Sequence, residues 1–152
     1  MSETKHELDA PPWTRVESTL IATAGAIRQA YDIRLAELEL NLSQASLLAL
    51  VLERGPSTQT QLADRLGLGR AATGAVIDVL ERRELVERQP DPSDRRVWLV
   101  AVTQTGKEVT EGVHRVDRIL RKELRAGISR EDRLQLAHLL LRLQSNLARV
   151  LD

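Results

Sequence analysis

The stretch from Thr58 to Val102 constrains the fold of this chain more than any other. Thr58-Gln59-Thr60-Gln61 reads as a capping box. The hydroxyl of the first residue takes a free backbone N–H of a new helix, and the glutamine three positions on returns a bond. The short helix it opens carries Leu62, Ala63 and Leu66 on one side. Gly67-Leu68-Gly69 then makes a tight turn, and a further helix runs from about Arg70 to Arg83. Two short helices joined by a glycine turn form a helix-turn-helix. Leu85 to Arg88 reads as a short strand, and Val97 to Val102 as a second, rich in β-branched residues. Between them Gln89-Pro90-Asp91-Pro92-Ser93-Asp94-Arg95-Arg96 has the composition of a turn, with two adjacent arginines at its far side. The spacing predicts a β-hairpin wing directly behind the helix-turn-helix.

Long amphipathic helices flank this unit. Val16, Leu20, Ala24, Ile27, Tyr31, Leu35 and Leu38 recur at steps of three and four, which predicts a helix from about Thr14 to Leu38. A second starts at Ser43 and is stopped by Gly55-Pro56. Thr103 caps another, from Gln104 to about Ala126, which Gly127 closes. Ser129 and Asp132 form a capping box for a last helix, Arg130 to Leu151, that is apolar over more than half its girth. So wide an apolar surface must be covered. A winged domain of about sixty residues cannot cover three long helices, so a second copy of the chain is the expected cover. The fold class is mainly α: a winged helix-turn-helix with a small antiparallel β-wing and flanking long dimerisation helices. The expected layout is a flexible tail over 1–12, an N-terminal dimerisation helix over 13–40, the winged domain over 41–103 and C-terminal dimerisation helices over 104–152.

Composition narrows the function. Phe is absent and aromatics are 2% of the chain, so the core is built from Leu, Val, Ile and Ala. The absence of Cys excludes a disulfide scaffold, a thiolate nucleophile and a cysteine-zinc site, and fits the cytoplasm. No apolar run reaches the roughly 18 residues of a membrane span. His6, His114 and His138 are far apart and form no metal-ligand spacing. No nucleophile-and-base set and no phosphate-binding glycine loop is visible, so neither an enzyme nor a cofactor is expected. The 22 basic and 22 acidic residues cancel. A nucleic-acid role therefore rests on where the arginines sit rather than on net charge.

Three segments carry a resemblance: Gln61 to Leu68, Leu80 to Arg88, and above all Asp91-Pro92-Ser93-Asp94-Arg95-Arg96 with Leu99, Thr103 and Gly106 following. Over roughly Leu42 to Lys107 the chain resembles the MarR family of bacterial regulators. The resemblance implies a dimer whose first and last helices interlock across a two-fold axis. It also implies control of nearby genes and release from DNA by small aromatic or phenolic ligands. Two departures stand out. Glu84 occupies the place of a glycine after the recognition helix, which predicts another kind of turn, since a left-handed non-glycine residue costs about 1 kcal/mol. Ala71, Ala72, Gly74 and Ala75 replace polar residues in the recognition helix.

In this reading a pseudo-palindromic double-stranded DNA operator receives one recognition helix per half-site. Arg70 and Thr73 face base edges. Thr58, Gln59 and Arg65 touch phosphates. Arg96 enters the minor groove, Asp94 pairs with it and holds it extended, and Arg95 meets phosphate. Trp13, Arg28, Tyr31 and His114 are candidates for lining a cavity for a small aromatic or anionic effector. Two other classes compete: a winged module whose arginines meet an acidic protein partner, and an enzyme.

Overall fold

The computed structural model describes residues 15–152. The tail over 1–12 and Trp13 lie outside the described residues. Helix α1 spans Val16–Leu35 and passes through a 3-10 turn, Ala36–Leu38, into α2, Leu42–Arg54. Then come α3 (Gln59–Leu66), α4 (Arg70–Arg82), strand β1 (Val86–Pro90), strand β2 (Trp98–Val102), α5 (Gln104–Leu124) and α6 (Arg130–Leu151). The two strands pair antiparallel, with Val86 opposite Val102 and Pro90 opposite Trp98. Ser57 adds one bridge to Val100 on the outer side of β2. The chain forms two compact units, one reaching Arg118 and one from Ile119 to Asp152, so α5 runs from the first into the second. Among the described residues no single helix is long and apolar enough to cross a membrane.

The core of the first unit is aliphatic, as a chain without Phe requires. Leu35, Leu40, Leu47, Leu48 and Val51 from the first two helices and the turn between them meet Leu62, Ile77, Leu80, Val86 and Val100 from the helix-turn-helix and wing. The helix starts are capped as the sequence predicts at Thr58, Thr103 and Ser129. The start of α2 differs. Asn41, not Ser43, is its cap, because Gln44 stands three residues on and completes a capping box, while Asp32 of α1 accepts a bond from the Leu42 N–H at 2.7 Å. Glu84 also departs from expectation. It is left-handed (φ 56°), and the Leu85 N–H closes α4 onto the Leu80 carbonyl at 2.9 Å. The turn is thus the glycine kind without the glycine. Burial of Leu80 and Leu85 on either side offsets the strain.

The outer helices are covered very differently. Leu35 is the one buried residue of α1, and α6 has none. Val16, Ile21, Ile27 and Ile33 are exposed along α1. Leu134, Leu136, Leu139, Leu141, Leu147, Val150 and Leu151 are exposed along α6.

One contact fixes where α5 leaves the wing. Thr103 donates its hydroxyl to the Glu84 carbonyl at 2.6 Å, and its N–H bonds the Leu85 carbonyl at 3.1 Å. Gly106 follows in the first turn of α5, where an added Cβ would lie 2.0 Å from the Leu85 carbonyl oxygen. Helix propensity alone would make Gly106→Ala stabilising by about 1 kcal/mol. The clash is with backbone and cannot swing away, so we expect a net loss of about 3 kcal/mol or more by urea denaturation. A neutral or stabilised variant would show that this junction relaxes freely.

Candidate nucleic-acid interface

The helix-turn-helix pair is held together by Gln59. Its side-chain amide donates to the Arg70 carbonyl at 3.1 Å, tying the start of α3 to the start of α4. Gly74 lies against the same side chain, since a Cβ there would come within 2.9 Å of the amide nitrogen. Gln59 is therefore a brace between the helices, and Thr58 caps α3 by accepting the Gln61 N–H at 3.1 Å. Thr73 requires a correction. It is fully buried, and its hydroxyl donates to the Gly69 carbonyl one turn back at 3.0 Å. With Ile77 and Leu80 it forms the inward face of α4, so it cannot meet bases. The outward face consists of Arg70, Ala71, Ala72, Ala75, Asp78 and Arg82. Arg65 and Arg70 are both exposed.

The small run in α4 thus divides by helical phase. Gly74 serves close packing on α3, and Ala71, Ala72 and Ala75 present bare methyl groups to the outside. Behind them a charge cluster is internally satisfied. Arg88 of β1 donates to Glu81 at 2.8 Å and to Asp78 at 2.9 Å. The Asp78 bond, ahead of opposing desolvation, raises the Arg88 pKa. These two acids of α4 are thus occupied by Arg88, where they would otherwise stand as uncompensated negative charges on that helix.

The wing tip is built from short local bonds. Ser93 donates both its N–H (2.8 Å) and its hydroxyl (2.7 Å) to Asp91, which fixes the turn. Those bonds, the hydroxyl first, hold the Asp91 carboxyl below its ordinary range. Asp94 receives the Arg96 guanidinium in a two-pronged contact, Nε at 3.0 Å and one terminal nitrogen at 3.1 Å, plus the Arg96 backbone N–H at 3.1 Å. The side-chain bond from Arg96 is the chief reason the Asp94 carboxyl stays low. The Arg96 side chain is nevertheless 91% exposed. Two of the five N–H donors of a guanidinium are used on Asp94, and the remainder suit a phosphate or base acceptor. Arg95 beside it is exposed.

A second feature lies on the inner side of the same unit. A cavity of about 390 Å³ opens among α1, α2 and α5. Leu35, Leu42, Ala45, Ala49 and Val113 give it apolar walls. Tyr31, Ser46, His114 and Asp117 supply polar groups, and the Tyr31 hydroxyl donates to Asp117 at 2.8 Å. The structure brings Tyr31 and His114 together here. Arg28 is not among the lining residues and lies 3.3 Å from the Ser43 hydroxyl instead. Ser46 and Asp117 escaped the sequence reading, because no local spacing relates residues 71 positions apart on helices that meet only in the fold.

A profile of the MarR family matches residues 40–98. Among curated proteins the chain is 30% identical over 105 residues to the HTH-type transcriptional regulator YdgJ of Bacillus subtilis (strain 168). That alignment covers 69% of this chain and 64% of the relative, so less than two thirds of the relative's length is spanned. Among solved structures the chain resembles CouR from Rhodococcus jostii RHA1 bound to p-coumaroyl-CoA, with a TM-score of 0.80 at 25% identity over 88% of this chain and 94% of that one. It also matches the transcriptional repressor CouR bound to a 23-mer DNA duplex, with a TM-score of 0.79 at 24% identity over 91% and 95% of the two chains. The wing motif, the order of elements and these likenesses agree: residues 40–98 match the MarR family, and the chain around them is similar in sequence and fold to HTH-type transcriptional regulators.

Proposed function

We propose that this protein is a DNA-binding transcription regulator that acts as a homodimer on a pseudo-palindromic operator in the cytoplasm, as a repressor. The observation that carries the reading is the Asp94–Arg96 clamp: a fully projecting guanidinium, pre-ordered by a carboxylate, at the tip of a hairpin beside a helix-turn-helix. An arginine so placed is suited to the negative potential of a narrow A·T-rich minor groove. Arg95, Arg65 and the start of α3 near Thr58 and Gln59 supply phosphate contacts, which set register without reading sequence. With Thr73 buried, base reading in the major groove falls to Arg70, suited to guanine, and to the methyl groups of Ala71, Ala72 and Ala75, suited to thymine methyls. CouR has been crystallised on a DNA duplex, and its likeness supports the same docking here.

The dimer rests on the exposed apolar faces of α1 and α6. Helices that bury almost nothing within their own chain are stabilised by tertiary packing, not by propensity. We expect an obligate homodimer burying more than about 1,600 Å². A folded monomer at micromolar concentration in sedimentation would refute it.

The cavity among α1, α2 and α5 is proposed as the effector site. Its walls suit an aromatic ring. Asp117 on its lining disfavours a carboxylate at that end, so aromatic character is the better supported half of the expected ligand class. CouR with p-coumaroyl-CoA is a neighbour that binds a small molecule, which supports the assignment.

The wing separates this reading from a protein-binding module. Arg96→Ala should weaken operator binding by about 1–3 kcal/mol and relax preference at A·T-rich flanks. Arg95→Ala should weaken all duplexes evenly and lower the salt slope by about one unit. Asp94→Ala removes an anion near phosphate, so simple charge counting predicts tighter binding. The clamp predicts weaker binding, because Arg96 must then be ordered on association. Titrations against operator and random duplex at two salt concentrations decide the sign. A wild-type protein that binds neither duplex points to the protein-binding module instead.

A further inference from the structure

Arg83 ends α4, yet its side chain serves a different helix. α4 is already closed by Glu84 and the Leu85–Leu80 bond, so no capping need of its own explains Arg83. The two terminal nitrogens of Arg83 instead donate to the carbonyls of Glu39, at 2.5 Å, and Leu38, at 3.1 Å. Those carbonyls lie in the corner between α1 and α2, where Glu39 is left-handed (φ 54°) and the Leu40 N–H returns to Leu35 at 3.2 Å. A cation there meets carbonyls that have no helical partner and the negative end of the α1 dipole. The corner is also seated on α5. The Leu38 side chain packs so closely on Gly112 that a Cβ there would come within 3.0 Å of it.

We propose that Arg83 is a positioning residue that sets the pitch of the recognition helix against the α1–α2 corner. The inference rests on the DNA-binding dimer proposed above. Two bonds from one planar guanidinium to successive carbonyls fix an angle as well as a distance, whereas a single bond leaves a pivot. α4 is about 20 Å long at 1.5 Å per residue, and Arg83 sits at the end opposite Arg70. A tilt of about 10° at Arg83 displaces Arg70 by about 3 Å over that length. The Gln59–Arg70 bond makes α3 follow. A dimer must place two such helices about 34 Å apart, so a displacement of that size on each side spoils the match. Leu35 and Leu42, which flank the corner, also line the effector cavity, so the cavity and the recognition helix share this anchor.

The test compares the full-length dimer, as wild type, Arg83→Met, Arg83→Lys and Glu39→Gln, on the selected operator and on operators with half-sites one base pair closer or farther. Circular dichroism melts and sedimentation check fold and dimer for each variant. Arg83→Met is expected to lose about tenfold on the correctly spaced operator, as for loss of charge-assisted hydrogen bonds. It should change little on the altered spacings, so the preference for correct spacing collapses. Arg83→Lys, with a cation but no fork, should keep part of that preference, and it serves alone if the Met variant does not fold. Glu39→Gln should keep all of it, because the backbone carbonyls hold the guanidinium and the Glu39 carboxylate lies 3.7 Å off. A folded Arg83→Met dimer with the wild-type spacing preference, whatever its absolute affinity, overturns the proposal, as does loss of the preference in Glu39→Gln. A wild-type dimer that binds no duplex overturns the regulator reading and this assignment with it.

Discussion

The carbonyl of Leu85 occupies space that only a glycine at position 106 leaves open, and much of the first unit is arranged around that approach. The end of α4, the start of β1 and the start of α5 meet there. Thr103 donates its hydroxyl to the Glu84 carbonyl in the turn just beyond α4 and accepts the Gly106 N–H at 3.0 Å, so one side chain ties that turn to the start of α5. Thr110, one turn beyond Gly106, is buried and donates to the Gly106 carbonyl at 2.7 Å, which keeps the start of α5 satisfied inside the core. A few ångströms away Arg83 draws in the end of α1, and Gly112 admits Leu38. Close backbone approach at Gly106, the bonds of Thr103 and the packing of Leu38 on Gly112 thereby join the winged unit to the long helices through short contacts. A looser junction of side chains on side chains would let the helix-turn-helix wander, and a binding surface needs it held to a fraction of an ångström.

Electrostatics follow the same economy. Between residues 64 and 96 the chain carries seven arginines and seven acids, so the region is neutral in sum. It is not neutral in place. Asp78 and Glu81 are taken up by Arg88, and Asp94 by Arg96. Each of these three acids orients an arginine, and Arg65, Arg70 and Arg95 remain exposed. Local pairing of this kind lowers the long-range attraction that a basic protein has for any polyanion, and it leaves oriented donors for close range. A zero net charge is thus compatible with a nucleic-acid interface, provided that interface is ordered before contact.

Much of this architecture was legible in the sequence. The hairpin of helices, the wing and three of the four capping boxes or caps follow from local chemistry, which neighbouring residues settle among themselves. The start of α2 was misplaced by one cap because Asn41 and Ser43 are both good caps. The Asn41–Gln44 pair three residues apart was the signal that decides between them, and the long-range bond from Asp32 was not visible at all. Thr73 was readable and misread: Thr73, Ile77 and Leu80 stand at helical spacing, which puts the threonine on the buried face whatever its chemistry suits it for. Glu84 followed the opposite course. Propensity argued against a left-handed glutamate, and tertiary burial of its neighbours overrode propensity, as it commonly does. The cavity residues Ser46 and Asp117, and the reach of Arg83 across 44 residues, depend on which helices meet. No periodicity within one helix contains that information.

The recognition helix is the least decorated part of the candidate interface, and its poverty has a physical consequence. On the docking proposed above, a surface of Arg70 and three alanine methyls would offer few hydrogen bonds and would discriminate bases weakly; a bidentate pair gives about 1–3 kcal/mol and a methyl contact less. In the proposed dimer, specificity would then be recovered from geometry: the spacing of two helices, the groove width met by Arg96 of each wing, and the deformability of the DNA between them. Each of those depends on rigid placement. The bare helix and the over-determined junction behind it are therefore two sides of one arrangement. A helix that reads bases by many side chains tolerates some play, because the side chains adjust. One that reads by position does not, and in this chain short polar contacts to backbone carbonyls cluster just beyond α4, where the position of that helix is set.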